Sequence, residues 1–360
     1  MLRNKVDLLF IGGHHSSALP LALLFKNKGY SLVFVGHKYN SLTNKFVSSE
    51  YKEVTSYGIP YIHLSSPKFY NVKGISKYIK LLVSIFKSFI ILLKYRPKVI
   101  VSYGGYLAVP LAFSGRLLGL TVVTHEQTAV SGLANKVVTK FSNLVFLTWK
   151  SSLSHYPNKK TLLVGLPLRE EILSIKPRTI NKKYNLKALF VQGGKQGSHI
   201  LNDFIFNNLK VLTKDFIIYH STGRHSLFND YTRAKKYKKL YKNYFPFDYV
   251  FGNDYMNLLK KVDFLITRSG AHMVYELCYL KIPAIFVPIP WSSNQEQKHN
   301  ALAAGDYIPR VILEQKNLNL SNFKKSVLKL NSLLKTSSNF KTVKTDATKR
   351  MFKVIKDNFL

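Results

Sequence analysis

The chain has 360 residues, 46% hydrophobic and 13% aromatic, enough for two ordinary cores and too apolar for a disordered chain. A single cysteine, Cys278, excludes a disulfide framework or a cysteine-cluster zinc site and fits a reducing compartment. Basic residues outnumber acidic ones 54 to 18, a net charge of +36, but only 10 are arginines, and lysine spread along the chain fits an anionic surface, membrane or polynucleotide, better than a base-reading patch.

In chain order, the apolar run 6–11 predicts a buried strand, 19–28 a helix that stops at Gly29, and 31–35 a second strand, together one βαβ unit. Residues 5–13 are apolar only briefly before a Gly/His/Ser loop, so no secretion signal is expected. No stretch reaches the roughly 18 uncharged apolar residues of a membrane span. The nearest, 75–93, is broken by Lys77, Lys80 and Lys87. With Lys94, Ser84 and Ser88 these line one side of a helix, opposite Ile79, Leu82, Val83, Phe86, Phe89, Ile90 and Leu93. Such a helix either lies in a membrane interface or packs its apolar face inward above a solvated lysine edge.

Further strands are expected at 99–102, 121–124 and 144–147, the pattern of a parallel sheet covered by helices. Residues 165–185 read as a connection between domains, after which the alternation restarts with strands at 188–192, 216–220, 264–267 and 284–287. Helices are expected from the glycine-rich turn after 192 to 212, and over 273–280. The lysine-rich stretch 224–244 reads as a solvated helical face, and 340–360, with Met351, Phe352, Ile355 and Phe359 at helical spacing, as a docked terminal helix.

Three strand-to-helix turns are rich in glycine and small hydroxyls: Gly12-Gly13-His14-His15-Ser16-Ser17, Gly193-Gly194-Lys195-Gln196-Gly197-Ser198, and Arg268-Ser269-Gly270-Ala271-His272. Backbone N–H groups and the positive end of a helix suit such turns to phosphate, and Lys195 adds a full charge. Neither the dinucleotide fingerprint nor the P-loop pattern occurs, which disfavours an ordinary NAD enzyme or P-loop NTPase. Carboxylates are scarce, so Glu126, Glu276 and Glu296 stand out, each near the C-terminal end of an expected strand or in the helix after it. Glu276 is suited to a ribose diol, with a helix-dipole contact as the plainer reading; Glu296 lies among Gln297, His299 and Asn300, where surface polarity is the plainer reading. No Asp-x-Asp or His-x-x-x-His spacing occurs, and a protein-bound catalytic metal is not expected.

These motifs, in order over nearly the whole chain, resemble the MurG family of UDP-N-acetylglucosamine transferases that make lipid II. The resemblance is carried by Gly12-Gly13 with Pro20, Ser102-Tyr103-Gly104-Gly105-Tyr106 with Pro110, and His125-Glu126-Gln127 with Gly132 and Asn135. It continues through Gly165-Leu166-Pro167-Leu168-Arg169, Gly193-Gly194-Lys195-Gln196-Gly197, Arg268-Ser269-Gly270-Ala271 with Glu276, Pro283-Ala284 with Pro288, and Gln297 with Asn300-Ala301.

The resemblance implies an α/β GT-B fold, two Rossmann-like domains facing a cleft, with 1–166 plus the C-terminal helix 340–360 on the acceptor and membrane side and 167–339 binding the UDP-sugar. It implies that Arg169 and the backbone near Gly252 hold uracil and Glu276 the ribose. Lys195, Gln196 and Gly197, with Ser269, Gly270, Ala271, His272 and Met273, would then hold the diphosphate, while Gln297, Glu296 and Asn300 read the sugar. Gly13, His14, His15, Ser16, Ser17, Tyr106, His125 and Thr128 would face a polyprenyl-diphosphate-linked acceptor.

The chain departs from the family where its histidine falls on Ser17, its asparagine on Thr128 and its serine on Lys195. Serine is a poor general base, so His15 and then His14 are the candidate bases, with phosphate binding the rival role for both. Glu126 joins them in the catalytic set, although its pairing with His125 reads mainly as structural. The expected activity is inverting, metal- and cofactor-independent transfer of GlcNAc from UDP-GlcNAc to lipid I, at the cytoplasmic face of the membrane, with no specific nucleic acid as partner. The rivals are another GT-B glycolipid transferase, a UDP-GlcNAc epimerase of the same fold, and an inactive polyanion binder.

Overall fold

The computed structural model describes residues 5–39, 47–66, 76–180, 186–223, 227–336 and 339–360. Residues 181–185 of the expected connection, 224–226 of the basic stretch, residue 75 and the side chain of Lys77 lie outside the described residues. The chain forms two compact units: Met1–Arg169 together with Lys344–Leu360, and Glu170–Val343.

The first unit contains β1 (Leu8–Ile11), α1 (His15–Asn27), β2 (Leu32–Gly36), α2 (Ser49–Ser56), β3 (Tyr61–His63), α3 (Ser76–Tyr95), β4 (Val99–Ser102), α4 (Ala108–Leu117), β5 (Thr121–Glu126), α5 (Leu133–Phe141), β6 (Leu144–Leu147) and β7 (Thr161–Leu163). Its strands form one parallel sheet in the order β3-β2-β1-β4-β5-β6-β7. Continuous apolar runs such as Leu8–Ile11 fit because helices cover both faces. The order reverses between β1 and β4, so the turns that leave these strands diverge and open a crevice at their C-terminal ends.

The second unit contains α6 (Glu170–Leu173), β8 (Ala188–Gln192), α7 (His199–Asp215), β9 (Ile217–Ser221), α8 (Asp230–Lys238), β10 (Tyr244–Phe247), α9 (Gly252–Lys261), β11 (Phe264–Thr267), α10 (Ala271–Leu280), β12 (Ala284–Phe286), α11 (Glu296–Ala303), β13 (Arg310–Ile312) and α12 (Leu320–Thr336). The parallel order β10-β9-β8-β11-β12-β13 places the same switch point between β8 and β11. Pro246 is accommodated because β10 is an edge strand.

The terminal helix, α13 (Ala347–Phe359), belongs to the first unit. It packs on α1, with Ala347, Met351 and Ile355 buried and Phe352 4.6 Å from Phe25, ring to ring.

Helix α3 settles which way its two faces point. Its serines are inside: Ser84 and Ser88 are buried with Leu92 and donate back to the carbonyls of Lys80 and Ser84. The apolar residues Tyr78, Ile79, Leu82, Val83, Phe86, Ile90 and Leu93 are exposed, Leu82 by 65% and Phe86 by 67%. α3 packs on α4 and α4 on α5, and these neighbours add exposed Leu117, Leu133 and Val137. Among the described residues no helix is long and apolar enough to cross a membrane.

Candidate active site

In the first unit the β1 turn is built around a glutamate from α2. Ser48 caps α2 by accepting from the Tyr51 N–H, which starts the helix so that Glu50 points back to the turn. Glu50 accepts from the Gly13 N–H at 2.7 Å and from the Tyr61 hydroxyl at 2.5 Å. Two glycines make room for it: a Cβ on Gly12 would lie 2.2 Å, and one on Gly36 2.0 Å, from its carboxylate. Burial and this carboxylate push the Tyr61 hydroxyl pKa upward, so it remains a donor.

His15 opens α1 with Nε2 2.9 Å from Glu53 and Nδ1 3.7 Å from Glu50. Arg169 pairs with Glu53 at 3.1 Å and its Nη2 lies 3.5 Å from Ser16 Oγ. In this structure its guanidinium is therefore directed at the β1 turn, with part of its surface still exposed. Ser17 is fully buried and donates to Gln127 at 2.8 Å, so it lines the interior and does not face an acceptor. His14 is exposed and its side chain caps nothing. Tyr106 is half-buried with its ring 5.1 Å from His37.

The segment after β5 is a closed network. The Glu126 carboxylate accepts from the Thr128 N–H at 3.0 Å and the Gly132 N–H at 2.9 Å. It also accepts from Asn135 Nδ2 at 3.1 Å, the Tyr156 hydroxyl at 2.6 Å and Thr128 Oγ1 at 2.7 Å. Asn135 reaches the His125 carbonyl and accepts from Thr124, which ties α5 to β5. His125 is fully buried, with Nε2 2.9 Å from the Gly165 carbonyl and its ring 5.4 Å from Tyr103. Burial pushes its pKa down to about 4, so the ring is neutral at pH 7 and pins β5 to the segment after β7. Glu126, His125 and Thr128 are therefore scaffold groups that shape the loop. Glu126, saturated with donors, has no lone pair to spare for a substrate proton.

In the second unit the glycine turn runs from β8 into α7, and Gly197 N–H closes it on the Gly194 carbonyl at 2.9 Å. It presses against the turn after β9: a Cβ on Gly197 would lie 1.9 Å from the Thr222 carbonyl, and one on Gly223 2.1 Å from the Gly197 nitrogen. Lys195 and Gln196 are exposed on this turn.

Beside it, Arg268 follows β11 almost fully buried. Its guanidinium donates to the carbonyls of Val287 and Pro288, to Ser198 Oγ at 2.9 Å and to Gln315 Oε1 at 2.7 Å, joining the ends of β11 and β12 to the start of α7. Burial lowers its pKa to about 10, so it stays charged at neutral pH, with no carboxylate partner among the described residues. Arg268 Nε, Gln192 Oε1 and Ser269 Oγ are buried without a hydrogen-bond partner among those residues. Gln192 pairs in register with Thr267, so these orphans sit together at the switch point. Buried polar atoms are normally satisfied, and such a cluster fits a polar ligand or water.

Around them, Gly270 caps α10, whose first turn is Ala271 to Met273. Glu276 is half-buried and accepts from the Tyr255 hydroxyl at 3.0 Å. Gln297 is half-buried and accepts from the Ile289 N–H at 3.1 Å, next to half-buried Glu296. Gly252 begins α9, exposed, with φ +57°. Asn300 is buried and donates to the Ser269 carbonyl at 3.2 Å, and Ser269 is itself fully buried; both hold the turn and do not read the sugar from its surface. Among the described residues no group of three or more His, Cys, Asp or Glu is arranged to hold a metal ion.

Glu50, Glu53, Tyr61 and Tyr156 were not legible as site residues, because each reaches its partner across 11 or more residues, which no local spacing reveals. Arg268 lies inside a quoted motif, but its lack of a counter-charge appears only in three dimensions.

Comparison with known proteins agrees with this architecture. Residues 12–147 match the glycosyltransferase family 28 N-terminal domain and residues 188–358 its C-terminal domain. A Clostridium botulinum (strain Alaska E43) relative, UDP-N-acetylglucosamine–N-acetylmuramyl-(pentapeptide) pyrophosphoryl-undecaprenol N-acetylglucosamine transferase, is 30% identical over 89% of this chain and 87% of its own. The crystal structure of Acinetobacter baumannii MurG superposes with a TM-score of 0.71 at 20% identity, over 98% of this chain and 99% of that one. UDP-GlcNAc 2-epimerase from Neisseria meningitidis shares the fold, with a TM-score of 0.63 at 13% identity over 98% of this chain and 100% of that one. With two Rossmann-like sheets, both domain matches and a relative 30% identical over 89% of the chain, the chain belongs to glycosyltransferase family 28 and is a GT-B glycosyltransferase homologous to MurG.

Proposed function

We propose that this enzyme transfers GlcNAc from UDP-GlcNAc to a polyprenyl-diphosphate-linked muramyl peptide, converting lipid I to lipid II, as a peripheral protein at the cytoplasmic face of the membrane. The observation that carries the lipid-linked acceptor is α3, which turns a broad apolar face outward between exposed Lys80, Lys87 and Lys94. A helix of this kind seats at an anionic interface, and the net charge of +36 adds long-range attraction. In this reading residues 1–166 with 340–360 serve acceptor and membrane, and 167–339 bind the donor.

The second-unit switch point supports a diphosphate. The β8 turn with Lys195, Gln196 and Gly197, and the first turn of α10, supply N–H groups and positive potential. Buried Arg268 adds an uncompensated charge behind them. Glu276 would take the ribose hydroxyls, the backbone at Gly252 the uracil, and Gln297 with Glu296 the sugar. The chemistry is a single displacement in which the departing diphosphate is stabilised by groups already in place.

UDP release from UDP-GlcNAc, measured with and without a short-chain lipid I analogue and repeated with chelator, tests the reading. Acceptor-dependent, chelator-resistant turnover yielding a disaccharide lipid is expected. UDP release without acceptor, or an epimerised sugar, would instead favour the epimerase chemistry of the structural neighbour. Donor binding without transfer to this acceptor would leave a different glycolipid as product.

A further inference from the structure

The β1 turn carries two adjacent histidines in opposite situations. His15 is 12% exposed, with each ring nitrogen against a carboxylate. Those carboxylates are themselves held, Glu53 by Arg169 and Glu50 by the Gly13 N–H and Tyr61. With Nε2 hydrogen-bonded to Glu53 and Nδ1 facing Glu50 at 3.7 Å, the His15 ring is engaged with carboxylates inside the turn, and freeing Nε2 for a substrate proton would break the Glu53 contact. His14, one residue earlier, is exposed and makes no side-chain hydrogen bond to any described residue. Ser17, where the family resemblance expects a histidine, is buried and engaged with Gln127.

We infer that His14 is the general base of the transfer and that His15, held by Glu53 and Glu50, is a positioning residue that fixes the turn. This rests on the reading of the enzyme as a transferase to a hydroxyl acceptor. In the step, the His14 imidazole takes the acceptor hydroxyl proton as that oxygen bonds to the anomeric carbon. The bond from that carbon to the β-phosphate oxygen breaks, and its electron pair leaves with UDP. The imidazolium then returns its proton to water. The ionisable groups facing His14 are Glu126 and His125 from β5, Glu50 from α2 and His15 from α1. Although the ring's surface reaches solvent, protein packed around the turn desolvates it and lowers the His14 pKa below 6.5 against the upward pull of Glu126 and Glu50, so the ring is neutral at pH 7.

The test compares wild type, His14→Ala and His15→Gln for lipid-I-analogue-dependent UDP release against pH, and for UDP-GlcNAc affinity by calorimetry. His14→Ala should lose about 10²- to 10⁴-fold in kcat, keep its donor affinity, lose the acidic limb of the kcat/KM profile and regain turnover with added imidazole. His15→Gln should lose less and retain that limb. Wild-type turnover in His14→Ala, or loss of the limb in His15→Gln instead, overturns the assignment alone. A wild-type enzyme with no acceptor-dependent release overturns the assignment and the reading of the function together.

Discussion

Glu50 and Glu126 spend their charge on backbone N–H groups, and each organises one loop of the first unit. Glu126→Ala would leave the Thr128 and Gly132 N–H groups and the Tyr156 hydroxyl without their acceptor. Each orphan costs about 1–3 kcal/mol, so loss of several kcal/mol in a denaturant melt is expected together with loss of turnover. Arg268→Ala removes the buried charge behind the β8 turn, and isothermal titration should show weaker UDP binding with an unchanged first-unit melt. The buried histidines add a pH dependence. His125 and His220 have folded pKa values of about 4 and about 3, both below 6.5. The unfolded chain therefore binds their protons first, and stability is lost as pH falls from about 6.5 towards 4. The shift at His125 is worth roughly 3 kcal/mol, and urea melts at pH 7 and pH 5 should record part of it. Glu126 was visible in the sequence because it sits in a dense polar motif. Glu50, in an unremarkable polar helix, becomes visible only when Gly12 and Gly36 are seen to make space for it.

Among elements, α3 inverts the usual rule that a helix packs its apolar stripe. Its periodicity is plain in the sequence, but period alone states that two faces exist and not which one is covered; Ser84 and Ser88 are the buried side, with Ser84 also donating to the Ser65 carbonyl. Phe86→Glu, at a largely exposed position, should leave folding and turnover on a water-soluble acceptor unchanged while sharply reducing co-sedimentation with anionic vesicles. Strands β4, β6, β8 and β11 coincide with the expected ranges because unbroken apolar runs mark strands buried on both faces. The reading of α1 starts four residues late, since His-His-Ser-Ser resembles a loop although the helix begins at His15. Short β3, β7, β10 and β13 escape detection, three of them only three residues long and β10 carrying Pro246.

At the scale of the molecule, both units repeat one plan, a parallel sheet whose order reverses beside a glycine turn. That repetition was readable in the alternation of runs and turns. The membership of α13 in the first unit rests on the helical spacing of Met351, Phe352 and Ile355, with Met351 and Ile355 buried and partly buried Phe352 packed on Phe25 of α1. Met351→Ala should cost about 2–5 kcal/mol, felt in the first unit's transition of a denaturant melt. The same helix orders events during synthesis. The second unit is one continuous segment, complete once residue 343 has left the ribosome, whereas the first waits for a helix translated after it. Domains usually mature in the order of translation. Here the half that begins first should finish last, and on stalled ribosomes it should stay open to protease until α13 emerges.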